Sequence, residues 1–203
     1  MIRNTKKYFL TLGLLLTGIL IFVCSVEACN DFTLVSRKEW KARPAKKTLR
    51  LTTPVKHEFV AHTVTPECQS LQSCSSMMRS MQTFHMDKQG FMDIGYNFVV
   101  GGDGRIYEGT GWTNQGIHIP GWNSKSHGIA FIGNYMSKKP NEKMLLAVRK
   151  LMICGITKGY IAMDRKLHGA RDATCTKSPG DVLYGIIQQW PMFEKGPLNP
   201  YNC

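Results

Sequence analysis

The chain has 203 residues, of which 43% are hydrophobic and 20% are charged. This length suits one domain or at most two, and the composition supports a hydrophobic core, which excludes a disordered, collagen-like or linker-rich chain. A formal net charge of +12 indicates an acidic partner, and charge alone leaves nucleic acid, an anionic membrane and an anionic polymer as alternatives.

Residues 1–28 are typical of a secretory signal peptide, which indicates an extracellular protein. Three cations precede an apolar run over 8–23, and Val26-Glu27-Ala28 fits a cleavage site. An uncleaved membrane anchor is the alternative, but the run falls short of the roughly 18 apolar residues that a span needs. A lipoprotein signal at Cys29 is a second alternative, which the acidic Glu27 disfavours. Cleavage removes three cations and one carboxylate, and so leaves residues 29–203 with a net charge of +10.

The cysteines fit an extracellular chain. Cleavage removes Cys24 and leaves an even number, which predicts three disulfides with fifteen possible pairings. The sequence has no CxxC pair and no histidine cluster at metal-ligand spacing, so metal binding is not indicated. The six remaining cysteines are Cys29, Cys68, Cys74, Cys154, Cys175 and Cys203.

The first predicted elements are a strand and a helix. Residues 58–64 are rich in β-branched and aromatic side chains and predict a short strand. Residues 75–88 predict a helix, because apolar side chains recur there at spacings of three and four. We interpret this apolar face as core packing. Its members are Met77, Met78, Met81, Phe84 and His85.

A hairpin and a buried strand are predicted next. Strands at 96–100 and 105–107 flank Asp103-Gly104, a pair typical of hairpin turns. Residues 128–132 form an apolar run that predicts a strand buried on both faces.

Two further helices complete the predicted fold. The first covers 141–158 and begins with Asn141 as a cap, and the second covers 181–190 and ends at Pro191. Three helices among short strands predict an α/β fold: a single domain in which a central mixed sheet is flanked by three α-helices.

Several motifs closely resemble the peptidoglycan recognition protein family, in particular its short, secreted insect-type members. They are Asp93–Gly101, Tyr107–Trp112, Gly128–Tyr135 and Ser178–Gly180, and the resemblance extends from about 33 to 193. It implies the fold that this family shares with zinc-dependent N-acetylmuramoyl-L-alanine amidases, with a long cleft on one face.

The resemblance also bears on catalysis. The amidases hold zinc with two His and one Cys, and these positions correspond here to Ala61, Ala170 and Ser178. A Ser hydroxyl is a poor zinc ligand and Ala is none, so we expect no zinc cofactor and no amidase activity. His168 is displaced from Ala170 by two residues and cannot rebuild the site alone. An amidase, or a hydrolase with Ser178 as nucleophile, remains the enzymatic alternative, although no Ser-x-x-Lys or Gly-x-Ser-x-Gly motif supports the latter.

The resemblance implies that the cleft binds the muramyl stem peptide. From the residues alone, His85 is better explained as a buried core histidine, and His118 and Asn123 equally well as loop residues. We expect Trp112 and Trp122 to line the cleft. The implied binding residues are His62, Thr63, His85, Gly90, Phe91, Tyr96, Thr110, His118 and Asn123.

Two positions bear on ligand choice. Family members that prefer diaminopimelate-type stems carry Gly-Trp and an Arg that pairs with the extra carboxylate, where this chain has Gly90-Phe91 and Thr110. We therefore expect a preference for lysine-type peptidoglycan of Gram-positive bacteria. The resemblance further implies partners in extracellular protease cascades, leading to Toll signalling or prophenoloxidase activation.

The resemblance implies the disulfides as well: Cys68 with Cys74 and Cys29 with Cys154, which leaves Cys175 with Cys203. The non-enzymatic alternative is a cationic binder of nucleic acid or membrane, but the sequence lacks a nucleic-acid motif or a basic helix. We expect neither nucleic acid nor membrane as a partner.

Overall fold

A computed structural model describes residues 29–203. The predicted signal peptide lies outside these described residues. Among the described residues, no helix combines the length and the apolar character that crossing a membrane requires.

The described residues form one six-stranded mixed sheet with three α-helices, as predicted. The strand order is β1-β4-β3-β5-β2-β6, and all neighbouring pairs are parallel except the β3–β4 hairpin. The elements in chain order are β1 (Leu34–Val35), β2 (Val55–His62), α1 (Leu71–Thr83), a π-helical turn (Phe84–Lys88), β3 (Phe98–Val100), β4 (Ile106–Glu108), β5 (Ser126–Phe131), α2 (Glu142–Thr157), β6 (Ile161–Gly169), a 3-10 turn (Ala170–Asp172) and α3 (Asp181–Ile187).

The helices cover the two faces of the sheet. Side chains alternate along a strand, so Phe59 and Ala61 of β2 join the core beneath α1, whereas Val60 joins the core beneath α2 and α3. Strand β5 is buried along its whole length, as predicted for a strand covered on both faces. The face beneath α1 is the one on which the candidate site opens.

The first helix differs from its prediction at both ends. Ser70 caps it and exchanges hydrogen bonds with Ser73, so it begins at Leu71 rather than at 75. It ends as an α-helix at Thr83 and continues as a π-helical turn. The wider turn changes the direction of the last side chains, and Phe84, which was predicted to pack in the core, is 51% exposed.

The second helix follows its prediction closely, because Asn141 caps it through the N–H of Met144. The third is shorter than predicted and ends at Ile187. Strand β6 was not predicted. The register of its pairing with β2 shifts between Val55 and His57, and the residues of β6 in this irregular stretch are largely exposed and polar, which obscures the strand pattern.

Three disulfides join the pairs that the family resemblance implies. Cys29 bonds to Cys154 of α2, Cys68 to Cys74 of α1, and Cys175 to Cys203. The first joins the beginning of the described residues to α2. The second joins Cys68, which precedes α1, to Cys74 within that helix, six residues further along the chain.

Candidate functional site

The candidate site opens at the carboxyl ends of two neighbouring parallel strands. Strand β2 ends at His62 and β6 at Gly169, and the register pairs Val60 with Gly169. Ala61, which follows Val60 in β2, and Ala170, which follows Gly169 at the start of the 3-10 turn, therefore lie at the same edge of the sheet. Ligand sites in open α/β sheets commonly form outside this edge.

Two adjoining depressions form a groove there. The first has a volume of about 220 Å³ and the second of about 320 Å³, and Tyr96 lines both. The first is lined by Phe59, Ala61, His62, Val64, Tyr96, His118, Ile119, Gly128, Ala170, Thr174, Thr176 and Ser178. The second is lined by Thr63, Thr65, Met77, Ser80, Met81, Phe84, His85 and Tyr96.

The three positions compared above with zinc ligands all line the first depression. Ala61 and Ala170 present methyl groups, and the Ser178 hydroxyl oxygen accepts a hydrogen bond from the His62 N–H at 3.0 Å. Within residues 29–203, no group of three or more His, Cys, Asp or Glu side chains is placed to hold a metal ion. The residues present therefore do not fit the ligand set of a catalytic zinc.

His62 is held by the backbone of a neighbouring loop. Its Nδ1 accepts a hydrogen bond from the Tyr135 N–H at 3.1 Å, which leaves Nε2 to carry the ring proton. Burial, and secondarily the charge of Arg171, lower the pKa of His62. The imidazole is therefore neutral at physiological pH and has one N–H donor.

His85 has the same arrangement in the second depression. Its Nδ1 accepts from the Gly95 N–H at 3.0 Å, and burial lowers its pKa. The ring stacks on Phe91 at 5.4 Å between centroids and meets the edge of Tyr96 at 5.8 Å. His85 is thus hydrogen-bonded and half-buried, as its alternative interpretation as a core histidine implied, and it also lines the groove.

His118 lies where the loop before β5 crosses the sheet. Asn123 orders this loop, because its side-chain oxygen accepts from the N–H groups of His118 and Ile119, both at 2.9 Å. Neither buried ring nitrogen of His118 has a hydrogen-bond partner in the described part of the chain, and burial lowers its pKa to about 3. A Cβ on Gly128 would come within 2.5 Å of the imidazole, so Gly128 makes room for this ring.

The rim of the groove is a tightly bonded turn. The Thr63 hydroxyl accepts from the Gly133 N–H at 3.0 Å and lies 2.7 Å from the Thr65 hydroxyl. Between them, Val64 has a positive φ of 54°, which is uncommon for a β-branched residue, and its side chain is exposed at the groove. The turn holds two hydroxyl groups and an apolar side chain at the rim.

The remaining predicted binding residues lie beside the two depressions without lining them. Phe91 contacts the groove through its stacking on His85, and Gly90 adopts a positive φ of 71° in the exposed turn before it. Thr110 lines a separate cavity, where its hydroxyl donates to the Asn114 carbonyl at 3.3 Å. The structure thus brings His62, Thr63, His85, Tyr96 and His118 together at the groove and places Thr110 apart from them.

The prediction that two tryptophans line the groove was wrong. Trp122 packs on Phe59 at 5.5 Å and donates to the Pro200 carbonyl, and Trp112 stacks on Tyr160 at 5.2 Å. Neither side chain reaches the groove.

Sequence reasoning missed several groove residues. Thr174 and Thr176 follow the 3-10 turn, and Ser80 lies on α1, so no local periodicity marks them as neighbours. Some of these hydroxyl residues lie close in sequence to Thr63 or Ser178, which the motifs had identified. This proximity is the sequence signal that could have revealed part of the set.

Comparison with known proteins shows which family model and which relatives this chain resembles. Residues 51–181 match the Amidase_2 family model, described as N-acetylmuramoyl-L-alanine amidase. The chain is 45% identical over 188 residues to peptidoglycan-recognition protein 1 of Holotrichia diomphalia, which covers 90% of this chain and 95% of the relative. The similarity therefore extends over nearly the whole described chain.

Two solved structures show the same fold. The Drosophila peptidoglycan recognition protein (PGRP)-SA superposes with a TM-score of 0.81 at 36% identity, covering 85% of this chain and 98% of that one. Human PGRP-IBETAC, solved in complex with glycosamyl muramyl pentapeptide, superposes with a TM-score of 0.78 at 40% identity, covering 79% and 95%.

Proposed function

The chain belongs to the peptidoglycan recognition protein family, and on that premise we propose that it is a secreted receptor that binds bacterial peptidoglycan without hydrolysing it. One observation carries this proposal: Ala61, Ala170 and Ser178 line the same depression as Tyr96 and His118. A groove with polar groups for a ligand but no zinc ligand set is suited to binding.

Neutral donors suit a stem peptide. In His62 and His85, Nδ1 accepts a hydrogen bond from a backbone N–H, so Nε2–H is available to donate to an amide carbonyl of the ligand. The Thr63 and Thr65 hydroxyls add groups that both donate and accept. Phe84, Phe91 and Tyr96 supply flat apolar surface for sugar or methyl groups.

We propose a preference for lysine-type stems. Diaminopimelate differs from lysine by one extra carboxylate, and a cation near that group would strengthen its binding. Support comes from Thr110, which is uncharged and donates its hydroxyl proton to the Asn114 carbonyl. Binding would then report Gram-positive bacteria to extracellular proteases of a Toll or prophenoloxidase cascade.

A side-by-side pull-down on lysine-type and diaminopimelate-type peptidoglycan tests these proposals, with the supernatant analysed for released stem peptide. We expect stronger retention on the lysine type and no release, with or without added zinc. Retention on neither would contradict peptidoglycan binding, and equal or reversed retention would contradict the preference alone.

The amidase description of the family model names the competing function. Metal analysis of the purified protein separates the two, because a catalytic zinc is held tightly by three protein ligands. One zinc per chain, together with released stem peptide, would establish the amidase and overturn the proposed receptor.

A further inference from the structure

The chain ends in a segment that runs beside one wall of the first depression. We call residues 194–203 the C-terminal strap. The Leu198 N–H donates to the Asp172 carbonyl at 2.7 Å, and the Asn202 N–H donates to the Ala173 carbonyl at 3.1 Å. These bonds attach the strap to the backbone immediately before the threonines that line the depression.

The end of the strap is held by two further contacts. Cys203 forms a disulfide with Cys175, and the Asn202 side-chain amide donates to the Pro120 carbonyl at 2.8 Å. Both partner segments continue into residues that line the first depression. The strap is therefore fixed behind the groove wall before any ligand arrives, and a wall that is ordered in advance loses little entropy on binding.

Thr174 is the residue at which the strap meets the groove. It lines the first depression, and its hydroxyl donates to the backbone carbonyl of Asn202. A threonine hydroxyl has one proton and two lone pairs. Because the proton is directed to the strap, the oxygen can only accept a hydrogen bond from a ligand.

The next two hydroxyl groups of this wall are used differently. The Thr176 oxygen accepts from the Ser178 N–H at 3.1 Å, and the Ser178 oxygen accepts from the His62 N–H at 3.0 Å. Each of these hydroxyls keeps its proton and can donate it. Of these three hydroxyl groups in the first depression, that of Thr174 is the one restricted to accepting.

A stem peptide brings donors as well as acceptors into the groove. Each peptide residue carries a backbone N–H besides its carbonyl, and an N–H that is buried without a partner is costly. The Nε2–H of His62 and of His85 can pair with ligand carbonyls but not with ligand N–H groups. A bound peptide therefore also needs an acceptor on the groove wall.

We propose that Thr174 accepts a hydrogen bond from a backbone N–H of the stem peptide, and that the Asn202 carbonyl fixes the hydroxyl in the orientation this requires. The inference rests on the proposed binding of peptidoglycan. It adds a ligand contact at Thr174, and it makes Asn202 a positioning residue that acts through Thr174.

Calorimetric titration tests this contact with a lysine-type muramyl pentapeptide and its ester analogues, each with one amide replaced by an ester. An ester keeps the carbonyl and nearly the shape of the amide but has no N–H. We expect one ester analogue to bind the wild type about tenfold more weakly than the parent peptide does. Thr174→Val should weaken binding of the parent peptide by a similar factor and should bind it no more tightly than that ester.

Two further variants separate the contact from a structural effect. Thr174→Ser keeps the hydroxyl and should retain both the affinity and the sensitivity to the ester. Thr157→Val, at an exposed position at the end of α2, is the matched control and should leave both unchanged. Urea denaturation of each variant measures any loss of stability separately from the loss of binding.

The role of the strap has its own test. In Cys175→Ser/Cys203→Ser the Asn202 carbonyl is held less firmly behind Thr174, so the hydroxyl can turn and its restriction to accepting is relaxed. The difference in affinity between the parent peptide and the ester should therefore shrink. An undiminished difference would overturn the positioning role of Asn202.

The outcomes distinguish this inference from the proposed function. If the wild type binds the parent peptide but no ester analogue loses its disadvantage in Thr174→Val, the contact is overturned and the proposed function stands. If a deoxy-sugar analogue shows that behaviour instead of an ester, the assignment to a peptide N–H is overturned. If the wild type does not bind the parent peptide, both are overturned.

Discussion

The ring nitrogens of the groove histidines explain how single residues prepare it for a ligand. In His62 and His85 one nitrogen accepts a hydrogen bond from a backbone N–H, and we propose that the other donates its proton to a ligand carbonyl. His118 also lines the groove, but both of its ring nitrogens are buried without a hydrogen-bond partner among the described residues.

His85 allows the two nitrogens to be tested separately. His85→Asn should preserve the acceptor for the Gly95 N–H but remove the Nε2–H donor, because an Asn oxygen can take the place of Nδ1. We expect nearly unchanged stability and about tenfold weaker binding of a muramyl peptide, measured by calorimetry and urea denaturation. His85→Gln, the matched control, should lose stability as well. Wild-type affinity in His85→Asn would contradict a binding role for this donor.

The identities of the groove residues could be predicted from motifs, but their grouping could not be derived from the sequence. Ala61, His118 and Ser178 are far apart in the chain, and the parallel pairing of β2 with β5 and β6 brings their segments together. Thr110 was assigned to the binding site by its motif; it lines the adjoining cavity of about 400 Å³, and its binding role stays a prediction.

At the scale of elements, prediction succeeded where the signals are local. Helix α2 begins at an Asn cap and was predicted to within a residue at each end. The end of α1 was not foreseen, because the π-helical turn is held by a tertiary contact, the bond from Gly95 to His85. Strand β6 was missed because its register shift interrupts the alternation on which strand prediction depends.

The Cys68–Cys74 disulfide connects an element to the groove. It fastens the segment after the Thr63–Thr65 turn to the start of α1, which carries Met77 and Ser80 of the second depression. Cys68→Ser/Cys74→Ala should therefore lower the free energy of unfolding by about 2 kcal/mol and weaken muramyl peptide binding.

The measurements are urea denaturation and calorimetry under oxidising conditions. Cys29→Ser/Cys154→Ser is the control for losing a disulfide away from both depressions, and it should lower stability without affecting binding in the groove. Unchanged binding after loss of the Cys68–Cys74 bond would contradict its link to the groove.

At the scale of the whole molecule, buried titratable groups set the response to acid. Burial lowers the pKa of His118 to about 3 and that of His127 to about 4. Burial raises the pKa of Glu58 to about 7, partly offset by Arg165, which pairs with it at 2.8 Å. The histidines and the glutamate therefore act in opposite directions as pH falls.

Stability should fall as pH drops from about 6.5, the ordinary pKa of histidine, toward 4.5. In this window the unfolded histidines bind protons that the folded ones exclude, whereas Glu58 binds its proton more readily in the folded state. His118 and His127 together outweigh Glu58, and burial lowers the pKa of His57 to about 4 as well, which gives a loss of at least about 1 kcal/mol per pH unit. Urea denaturation at several pH values measures this slope. Glu58→Gln should make the slope steeper, and an unchanged or shallower slope would contradict the assignment.

The net positive charge, which indicates an acidic partner, is distinguished here from specific binding in the groove. We expect the charge of +10 on residues 29–203 to provide general attraction to an anionic cell wall, which salt should screen. We propose that specific binding takes place in a groove of neutral donors, which salt should affect much less.

Titration with a lysine-type muramyl pentapeptide in the presence of zinc, followed by mass analysis of the recovered ligand, tests binding and hydrolysis in one experiment. We expect saturable binding of one ligand per chain and recovery of the intact ligand. Absence of binding, or recovery of the muramic acid and the peptide as separate products, would contradict it.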